Sequence, residues 1–465
     1  MKYWLLILLS IIFQLSYGQS KTDVITLNAQ KQKSLTQESF SSGKGYYVVE
    51  GNFDLKGRTI NIPNGCYLNF SGGTISNGHL LGELLNEYVR PEWFGAKADG
   101  SHDDTEAIQM AVDLGRHVLL SGRYCVSHSI IVKNQGITLE KGSEIKAIGN
   151  AIDYILRYQG TTSPVYLDGG GVLNANGICG GIYYDTPKTF RLQNIYINSV
   201  AYYPALTVKK GFIESYNVNC NGSLVAKAKQ PKAVVSLEGG SDHKFDRWTI
   251  VTKTTGIAGC GGSSIFTRVH IWGGSDVGFS VNSSSCTFNM CYTDYCKIGF
   301  ELLNPTKGKI GGIYILNHNT IGQPSDVLVL SHFQNLIGTI TLASHLNYKM
   351  KLIAFAPEIT NGLCGVTINA STIAGNKGST AMRPHFEASP NKDALMGYQY
   401  FNTDTKQLEV WNGKEWTSFV SYHKGLSSQR PAKPNEGDLY YDSSLKKMIL
   451  FNGNTWVNLN GSPLK

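Results

Sequence analysis

The sequence predicts an all-β fold: a right-handed single-stranded parallel β-helix with an N-terminal capping helix and a small C-terminal tandem β-meander module. Three observations lead to this class. Glycine (51) and tyrosine (25) are abundant and charged residues make up only 16%, a composition that suits short strands and tight turns. From Tyr46 onwards, short alternating segments are separated by glycine. In the middle of the chain, six such segments form a repeat.

The repeat is an apolar residue, four further residues and, in most copies, isoleucine or valine. Consecutive copies mostly start 21 to 23 residues apart, and one interval of 32 contains the insertion NGSLVAKAKQP. A unit of this length cannot bury its own apolar face, so successive units must stack. A parallel β-helix meets this need better than a sandwich, or than a propeller, whose repeats are about twice as long. The copies are FRLQNI (190–195), IESYNV (213–218), FDRWTI (245–250), FTRVHI (266–271), FNMCYT (288–293) and IGGIYI (310–315).

The first residues predict export. Met1–Gly18 has the features of a secretory signal peptide: Lys2, an apolar run from Trp4 to Phe13, and small residues at the cleavage site. Lys2 is the only charged residue of this segment, so cleavage changes the net charge from +8 to +7. No other apolar run is long enough to span a bilayer. We therefore expect a periplasmic, cell-surface or secreted protein, with a polar segment at residues 19–45 before the β-helix.

One segment near residue 100 has the pattern of a helix. Asp103 or Asp104 can cap it, and Ala107, Ile108, Ala111 and Val112 form one apolar stripe. Asp99 and Gly100 form a turn dipeptide. The cluster of aspartates is also typical of an active site or a metal-binding loop. We favour a structural role, with the aspartates accepting N–H groups of a helix that plugs the open end of the β-helix.

This segment resembles the G-A-x-x-D-G-x-x-D-D-T-x-A-I-x-x-A motif that opens pectate-lyase-like β-helix proteins, including rhamnogalacturonases and phage tailspikes. The upstream stretch LKGRTINIPNGCYLNFSGGTISNGHLLG is similar to that of exported Bacteroidetes members. The resemblance implies a β-helix over residues 46–385, a capping role for the motif and a polysaccharide substrate. The Asn-Thr-Asp, Gly-His-Gly and Arg-Ile-Lys signatures of polygalacturonases are absent, which leaves the activity open. The matching residues are Gly95-Ala96, Asp99-Gly100, Asp103-Asp104-Thr105, Ala107-Ile108 and Ala111.

The last part of the chain, residues 390–465, contains a second repeat. Residues 397–419 align with residues 437–459 at an offset of 40, and each copy has Asn-Gly between two apolar strands, a hairpin signal. Each copy therefore predicts a small β-meander, with the proline-rich segment 427–437 as the linker. The shared tryptophans either stack on sugar rings or form the core of a tiny domain, and we favour the core.

Strand alternation identifies a candidate site on the outside of the repeats. If the third and fifth positions after each starting residue point inward, then Leu192, Ser215, Arg247 and their neighbours point outward, and Gln193 is an exception. Adjacent turns lie about 4.8 Å apart, so outward residues form columns. The predicted catalytic residues are Arg247, Arg268, His270 and Tyr292. The predicted substrate-binding residues are Trp272, Asp294, Asn217 and Thr249.

These residue types favour lyase chemistry on a uronate-containing polysaccharide. Arginine would neutralise the uronate carboxylate and stabilise the enolate-like intermediate. His270 and Tyr292 would serve as base and acid, and Trp272 would support a sugar ring. A glycoside hydrolase needs two carboxyl groups about 5 to 9.5 Å apart, and this face carries only Asp294.

Three alternatives remain at this point. The chain could be a non-catalytic glycan-binding or adhesin β-helix, a receptor-binding spike like that of a phage, or an ordinary ladder of polar residues with no ligand. The scattered basic residues do not predict nucleic-acid binding. We expect no required cofactor, although Asp242, Asp246 or Asp276 could bind calcium. The nine cysteines, none in a CxxC motif, are expected to fill the core, and both a monomer and a trimer are open.

Overall fold

The structure is a computed structural model that describes residues 24–343 except 44, 83, 134–135, 150, 284, 304–309 and 320–324. It also describes residues 351–359, 363–370, 377–383, 399–418 and 422–464 except 435 and 460. The predicted signal peptide, Met1–Gly18, lies outside these residues. The chain divides into two compact units, one ending at Ser275 and the other beginning at Asp276.

The first unit begins with parallel strands that stack in three small sheets. Val24–Leu27 pairs with Tyr46–Val49, which pairs with Tyr67–Phe70. Asn52–Asp54 pairs with Thr74–Ser76, and Thr59–Asn61 with His79–Leu81. The β-helix therefore starts before Tyr46, inside the segment that we expected to be irregular, because Val24–Leu27 adds a parallel strand to its edge.

The rest of the first unit is a parallel β-helix, as predicted. All its ladder pairings from Tyr88 to Trp272 are parallel. Short 3₁₀ helices lie at Gln37–Phe40, Pro91–Phe94 and Lys227–Lys229. The strands are Tyr88–Val89, Asp99–Asp103, His117–Leu120, Arg123–Val126, Ile130–Val132, Ile137–Leu139, Glu144–Ala147, Tyr154–Gln159, Val165–Asp168, Val172–Asn174, Gly180–Gln193, Tyr196–Asn198, Leu206–Asn221, Ala233–Leu237, Lys244–Val251, Thr255–Ala258, Ile265–Thr267 and His270–Trp272.

The predicted helix is present at Thr105–Asp113. Ala107, Ile108, Ala111 and Val112 are buried, as the apolar stripe predicted. Gln109 accepts a hydrogen bond from the Ile131 amide (2.9 Å), and Asp113 lies 3.7 Å from His79. The helix thus contacts strands that come both before and after it in the chain. Its role as a plug stays a prediction.

The second unit continues as parallel strands, with the last two modules separate from them. Its strands are Val277–Val281, Thr287–Asn289, Tyr292–Thr293, Ile298–Leu302, Ile310–His318, Val327–Ser331, Asn335–Leu342, Lys351–Phe355 and Leu363–Ala370. The modules are two four-stranded sheets, each with one parallel and two antiparallel pairings. They contain Lys377–Gly378, Gln399–Asn402, Gln407–Trp411 and Trp416–Ser418, then Tyr422–Gly425, Leu439–Asp442, Lys447–Phe451 and Trp456–Asn458, with 3₁₀ helices at Thr380–Met382 and Ser427–Gln429.

The aromatic residues of the modules form their cores. Tyr400, Trp411 and Tyr440 are buried. The shared tryptophans, Trp416 and Trp456, are half-buried and lie against Tyr400 and Tyr440 with ring centroids 5.9 and 5.7 Å apart, so the core interpretation holds for them in part. The segment that we predicted to be a linker also contributes to the second module, because Arg430 donates hydrogen bonds to the buried carboxylate of Asp442 (2.8 and 2.5 Å).

The cysteines behave as small apolar residues. Eight of the nine are buried and Cys364 is exposed. Within the part of the chain that the structure describes, no helix is both long and apolar enough to cross a membrane.

Candidate functional site

The aspartate-rich segment before the helix is occupied by local hydrogen bonds. Asp99 accepts the amides of Ser101 (2.9 Å) and His102 (3.1 Å), and these bonds hold the pKa of its carboxyl below the usual range. Asp103 accepts the amide of Thr105 (3.1 Å) at the start of the helix. These contacts support a structural role for the segment.

Of the two predicted caps, only Asp103 bonds the start of the helix, because the side chain of Asp104 does not cap it. Its carboxylate is buried and accepts the amides of Lys97 (2.6 Å) and Ala98 (3.3 Å) instead. Burial raises the pKa of this carboxyl, and the amide bonds oppose that rise. Asp104 therefore fixes the loop that leads into the strand Asp99–Asp103.

A column of left-handed residues marks one corner of the β-helix. Asn194, Asn217, Arg247 and Arg268 have φ of 55°, 55°, 55° and 53°. The strand register places these residues opposite each other in successive turns. Asn217 lies opposite Arg247, for example, because Tyr216 pairs with Asp246 and Val218 with Trp248. We call this column the αL corner. Asn217 donates a side-chain hydrogen bond to the Asn194 side chain (2.8 Å), so the asparagines form a short ladder.

The αL corner overturns part of the predicted outward set. Leu192 and Ser215 were expected to point outward, but both are buried, whereas Gln193 is exposed. The residue in the left-handed conformation interrupts strict alternation, so the strand segments on its two sides follow different phases. The preference of asparagine for this conformation was the sequence signal that could have located the corner.

The repeat alignment was also shifted, by two residues between the second and third copies and by five at the last copy, where Ile315 rather than Ile310 lies opposite Phe288. Ser215, not Ile213, lies opposite Phe245. The position opposite Ile213 is taken by His243, which is fully buried and accepts the amide of Ile213 (3.3 Å). An alignment that seeks apolar residues at core positions passes over a buried histidine. Asn217 therefore shares a column with Arg247, rather than with Thr249.

The two arginines of the αL corner have different partners. Arg268 makes two hydrogen bonds to the carboxylate of Asp246, at 2.9 and 2.5 Å. The guanidinium of Arg247 lies over the ring of Tyr216, 5.3 Å from its centroid. Asp246 thus already binds the guanidinium of Arg268, and the binding of a uronate carboxylate by either arginine stays a prediction.

The strand that follows the αL corner carries the other predicted residues of the first unit. We call its outer surface face 3, formed by residues 196–198, 219–221, 249–251 and 270–272. Thr249 lies opposite His270, as predicted, and Val251 lies opposite Trp272. The rings of His270 and Trp272 are stacked, with centroids 6.1 Å apart, and Trp272 is 40% exposed. Tyr196, which the prediction did not single out, is also exposed on this face.

Tyr292 and Asp294 belong to the second unit. Burial and a hydrogen bond to Asp294 raise the pKa of Tyr292 to about 12. A tyrosine with this pKa remains protonated at neutral pH, so it could serve as an acid but not as a base. The predicted column that joins Tyr292 to His270 crosses from one unit to the other and stays a prediction.

The carboxylates that we considered for calcium have other contacts. Asp242 accepts a hydrogen bond from Ser241 (2.6 Å), and Asp246 is paired with Arg268. In the second unit, Asp276 lies 2.8 Å from the Lys297 ammonium. Among the described residues, no three histidine, cysteine, aspartate or glutamate side chains are grouped in a way that could hold a metal ion.

Several solved structures are distantly similar to this chain. A candidate glycosyl hydrolase from Parabacteroides merdae has 17% identity and a TM-score of 0.28, over 45% of this chain and 98% of the other. ORF18 of Geobacillus virus E2 has 13% identity and a TM-score of 0.41, over 80% and 86%. Tailspike protein 3 of bacteriophage CBA120 has 13% identity and a TM-score of 0.31, over 82% and 70%. These likenesses are too distant to support a functional inference. No family model and no curated protein matches the sequence.

Proposed function

We propose that this chain is an exported carbohydrate-binding β-helix protein that holds an acidic, uronate-containing polysaccharide at the αL corner, with Arg247 as the carboxylate-binding group. The observation that carries the proposal is the residue type at the corner. Two successive turns place asparagine there, and the next turn places an exposed arginine in the same left-handed conformation.

Local stability favours asparagine at this position. A residue other than glycine, asparagine or aspartate costs about 1–2 kcal/mol in the left-handed region. Asparagine offsets that cost with local hydrogen bonds, as Asn217 does through Asn194. Arg247 gives up this advantage, and unfavourable backbone conformations of this kind concentrate at functional positions. Folding stability therefore does not explain the arginine at this position, and we attribute it to ligand binding.

The surroundings of Arg247 suit an acidic sugar. A guanidinium binds a carboxylate through two parallel N–H bonds, and stacking on Tyr216 restricts its orientation before the ligand arrives. The exposed rings of Tyr216 and Trp272 lie on the two strands that flank the corner. They offer apolar surface to the C–H faces of neighbouring sugar units. The resemblance to pectate-lyase-like proteins independently favours a polysaccharide.

Substitution of Arg247 by asparagine tests the proposal directly. The Arg247→Asn variant should bind oligogalacturonate about 10- to 100-fold more weakly, because a charge-assisted contact is lost. Its unfolding midpoint should equal or exceed that of the wild type, because asparagine suits the backbone. Isothermal titration calorimetry and thermal unfolding measure the two effects.

Arg191 supplies the matched control. Arg191 is also exposed, and it lies in the strand segment just before the αL corner. It is paired with Glu214 at 3.4 Å. The Arg191→Asn variant should bind oligogalacturonate as the wild type does. Equal affinity of Arg247→Asn and wild type for oligogalacturonate, glucuronate and mannuronate oligomers would contradict the proposal.

Lyase activity is the second candidate function, favoured by the position of His270. It lies on face 3 in the turn next to Arg247, beside the exposed ring of Trp272. Arg247 would neutralise the uronate carboxylate, and His270 would remove the proton at C5. The electron pair of that C–H bond would form the C4–C5 double bond as the C4–O bond breaks, and the leaving oxygen would take a proton from water. An increase in ultraviolet absorbance from unsaturated products would select the lyase, and His270→Ala should then abolish the product while retaining binding. Binding without any product selects the non-catalytic protein.

A further inference from the structure

A second cluster on the first unit combines aromatic rings with a neutralised cation. Tyr154 lies 5.3 Å from Tyr183 and 5.4 Å from Tyr203, measured between ring centroids. The guanidinium of Arg157 covers the ring of Tyr183 at 4.2 Å. We call Tyr154, Arg157, Tyr183 and Tyr203 the aromatic platform. It is formed by the strands Tyr154–Gln159 and Gly180–Gln193 and the loop before Leu206, away from face 3.

The platform has a fixed base and an accessible surface. Tyr154 is buried, and its hydroxyl is within hydrogen-bond distance of the Thr207 hydroxyl (2.8 Å). Tyr203 is 42% exposed and Tyr183 is half-buried. The three rings are tilted by 49° and 53° rather than stacked flat. Tyr203 and Tyr183 therefore present ring surface to the solvent, each at an angle to the buried ring of Tyr154.

The loop that carries Tyr203 is held in place by the insertion in the repeat. The amide of Tyr202 donates to the Lys229 carbonyl (2.7 Å), within the insertion. Gln230 in turn anchors the insertion, since its side chain is buried and bonds the Lys253 amide (3.0 Å) and the Val225 carbonyl (2.8 Å). The loop is thus ordered before any ligand binds, which lowers the entropic cost of binding.

Tyr202 adds an independent sign of function in the same loop. It is 57% exposed and has a φ of 64°, which is unusual for a bulky residue. More than half of this residue is exposed, so its burial compensates little for this conformation. Strained residues of this kind are concentrated at ligand-binding positions.

The charges of the platform indicate which sugar it suits. Arg157 forms an ion pair with Asp153, so its positive charge is compensated, unlike that of Arg247. Asp153 also accepts hydrogen bonds from the Tyr154 amide (2.8 Å) and the Ser129 hydroxyl (3.1 Å), so the pair is held in the fold and presents no net charge to a ligand. We infer that the aromatic platform binds a neutral sugar unit, stacked on Tyr203 and in contact with Tyr183 and Arg157. This inference rests on the proposed function and assigns a second subsite to it.

Titration of the full-length protein with two classes of oligosaccharide tests the inference. The probes are neutral xylo-, manno- and galacto-oligosaccharides and acidic oligogalacturonate. Tyr203→Ala and Tyr183→Ala should each weaken binding of the neutral probe about tenfold, the range for a central aromatic contact, and leave oligogalacturonate binding unchanged. Arg247→Asn should do the reverse. Arg157→Lys keeps the charge but loses the planar stacking, and should also weaken the neutral probe.

Tyr314 is the matched control, since it has 43% exposure but lies outside the platform. Tyr314→Ala should leave both affinities unchanged. Wild-type affinity for the neutral probes in Tyr203→Ala and Tyr183→Ala would overturn the inference, as would binding of oligogalacturonate alone by the wild type. In the second case the proposed function stands. If the wild type binds neither class, the proposed function fails as well.

Discussion

Asn194, Asn217, Arg247 and Arg268 occupy the same backbone position in four turns of the β-helix, and their differences separate stability from binding. Asparagine suits the left-handed backbone conformation, and the side chains of Asn194 and Asn217 are hydrogen-bonded to each other. The guanidinium of Arg268 is paired with the carboxylate of Asp246. Arg247 is stacked on an exposed tyrosine. That Arg247 and Arg268 point outward could be predicted from alternation. The pairing with Asp246 and the stacking on Tyr216 could not, because both depend on the register between turns.

Asp246 reduces the positive charge that the αL corner presents to a ligand, because its carboxylate is paired with Arg268. The Asp246→Asn substitution should strengthen oligogalacturonate binding about three- to tenfold, since it releases the Arg268 guanidinium and removes a carboxylate that repels the ligand. The pair is partly exposed (43% and 30%) and screened by solvent, so its loss should change the unfolding midpoint little. Calorimetric titration and thermal unfolding check both expectations.

Asp185→Asn is a suitable control, because Asp185 has the same 30% exposure and is paired with Lys210 on another part of the unit. It should leave the affinity for oligogalacturonate unchanged. An Asp246→Asn variant that binds this probe no more tightly than wild type would show that Arg268 takes no part in binding.

At the scale of single strands, the sequence predicted which elements form better than where each turn begins. The helix Thr105–Asp113 and the buried stripe on it agree with the pattern. The repeat alignment failed where polar residues fill core positions, as Ser215 and His243 do in the first unit and His318 in the second. Periodicity counts apolar residues, so it cannot register a polar side chain that is buried and makes a hydrogen bond inside the fold.

His318 makes the stability of the second unit depend on pH. It follows Asn317, a left-handed residue, at the inward position that valine or isoleucine takes after the corner in other turns. Burial lowers its pKa from 6.5 to about 3. Below pH 6.5 the unfolded chain takes up a proton at this residue, while the folded protein does not until about pH 3. Stability should therefore fall as the pH falls through this range, by up to about 3 kcal/mol between about pH 7 and about pH 4.

The His318→Leu variant should flatten this dependence, because leucine fills the core position without titrating. Urea unfolding midpoints at a series of pH values, compared with wild type, measure the effect. Other buried histidines, such as His243, contribute with the same sign in both proteins and cancel in the comparison. Parallel profiles for wild type and His318→Leu would exclude His318 as the titrating group.

At the scale of the whole chain, composition and repeat length were sufficient to predict the architecture. A unit of 21 to 23 residues that cannot bury its own face leads directly to stacking, and the ladder pairings of the first unit are all parallel from Tyr88 to Trp272. The aromatic platform was not predicted. Its tyrosines are separated by about 20 to 50 residues in sequence and meet only because successive turns are in register.

The net charge of the chain predicts how its two proposed subsites respond to salt. The formal charge is +8, with 42 lysines and arginines against 34 acidic residues, so an anionic polysaccharide is attracted at long range as well as at Arg247. The Debye length falls from about 10 Å at 0.1 M salt to about 3 Å at 1 M, which screens exposed charges. Affinity for oligogalacturonate should therefore drop several-fold between about 0.05 M and about 0.5 M sodium chloride. Affinity for the neutral oligosaccharides should stay constant, because stacking on Tyr203 and Tyr183 involves no net charge. Arg247→Asn should reduce the salt dependence for oligogalacturonate, and Tyr203→Ala should leave it intact. If the acidic and neutral ligands respond equally to salt, charge does not distinguish the two subsites.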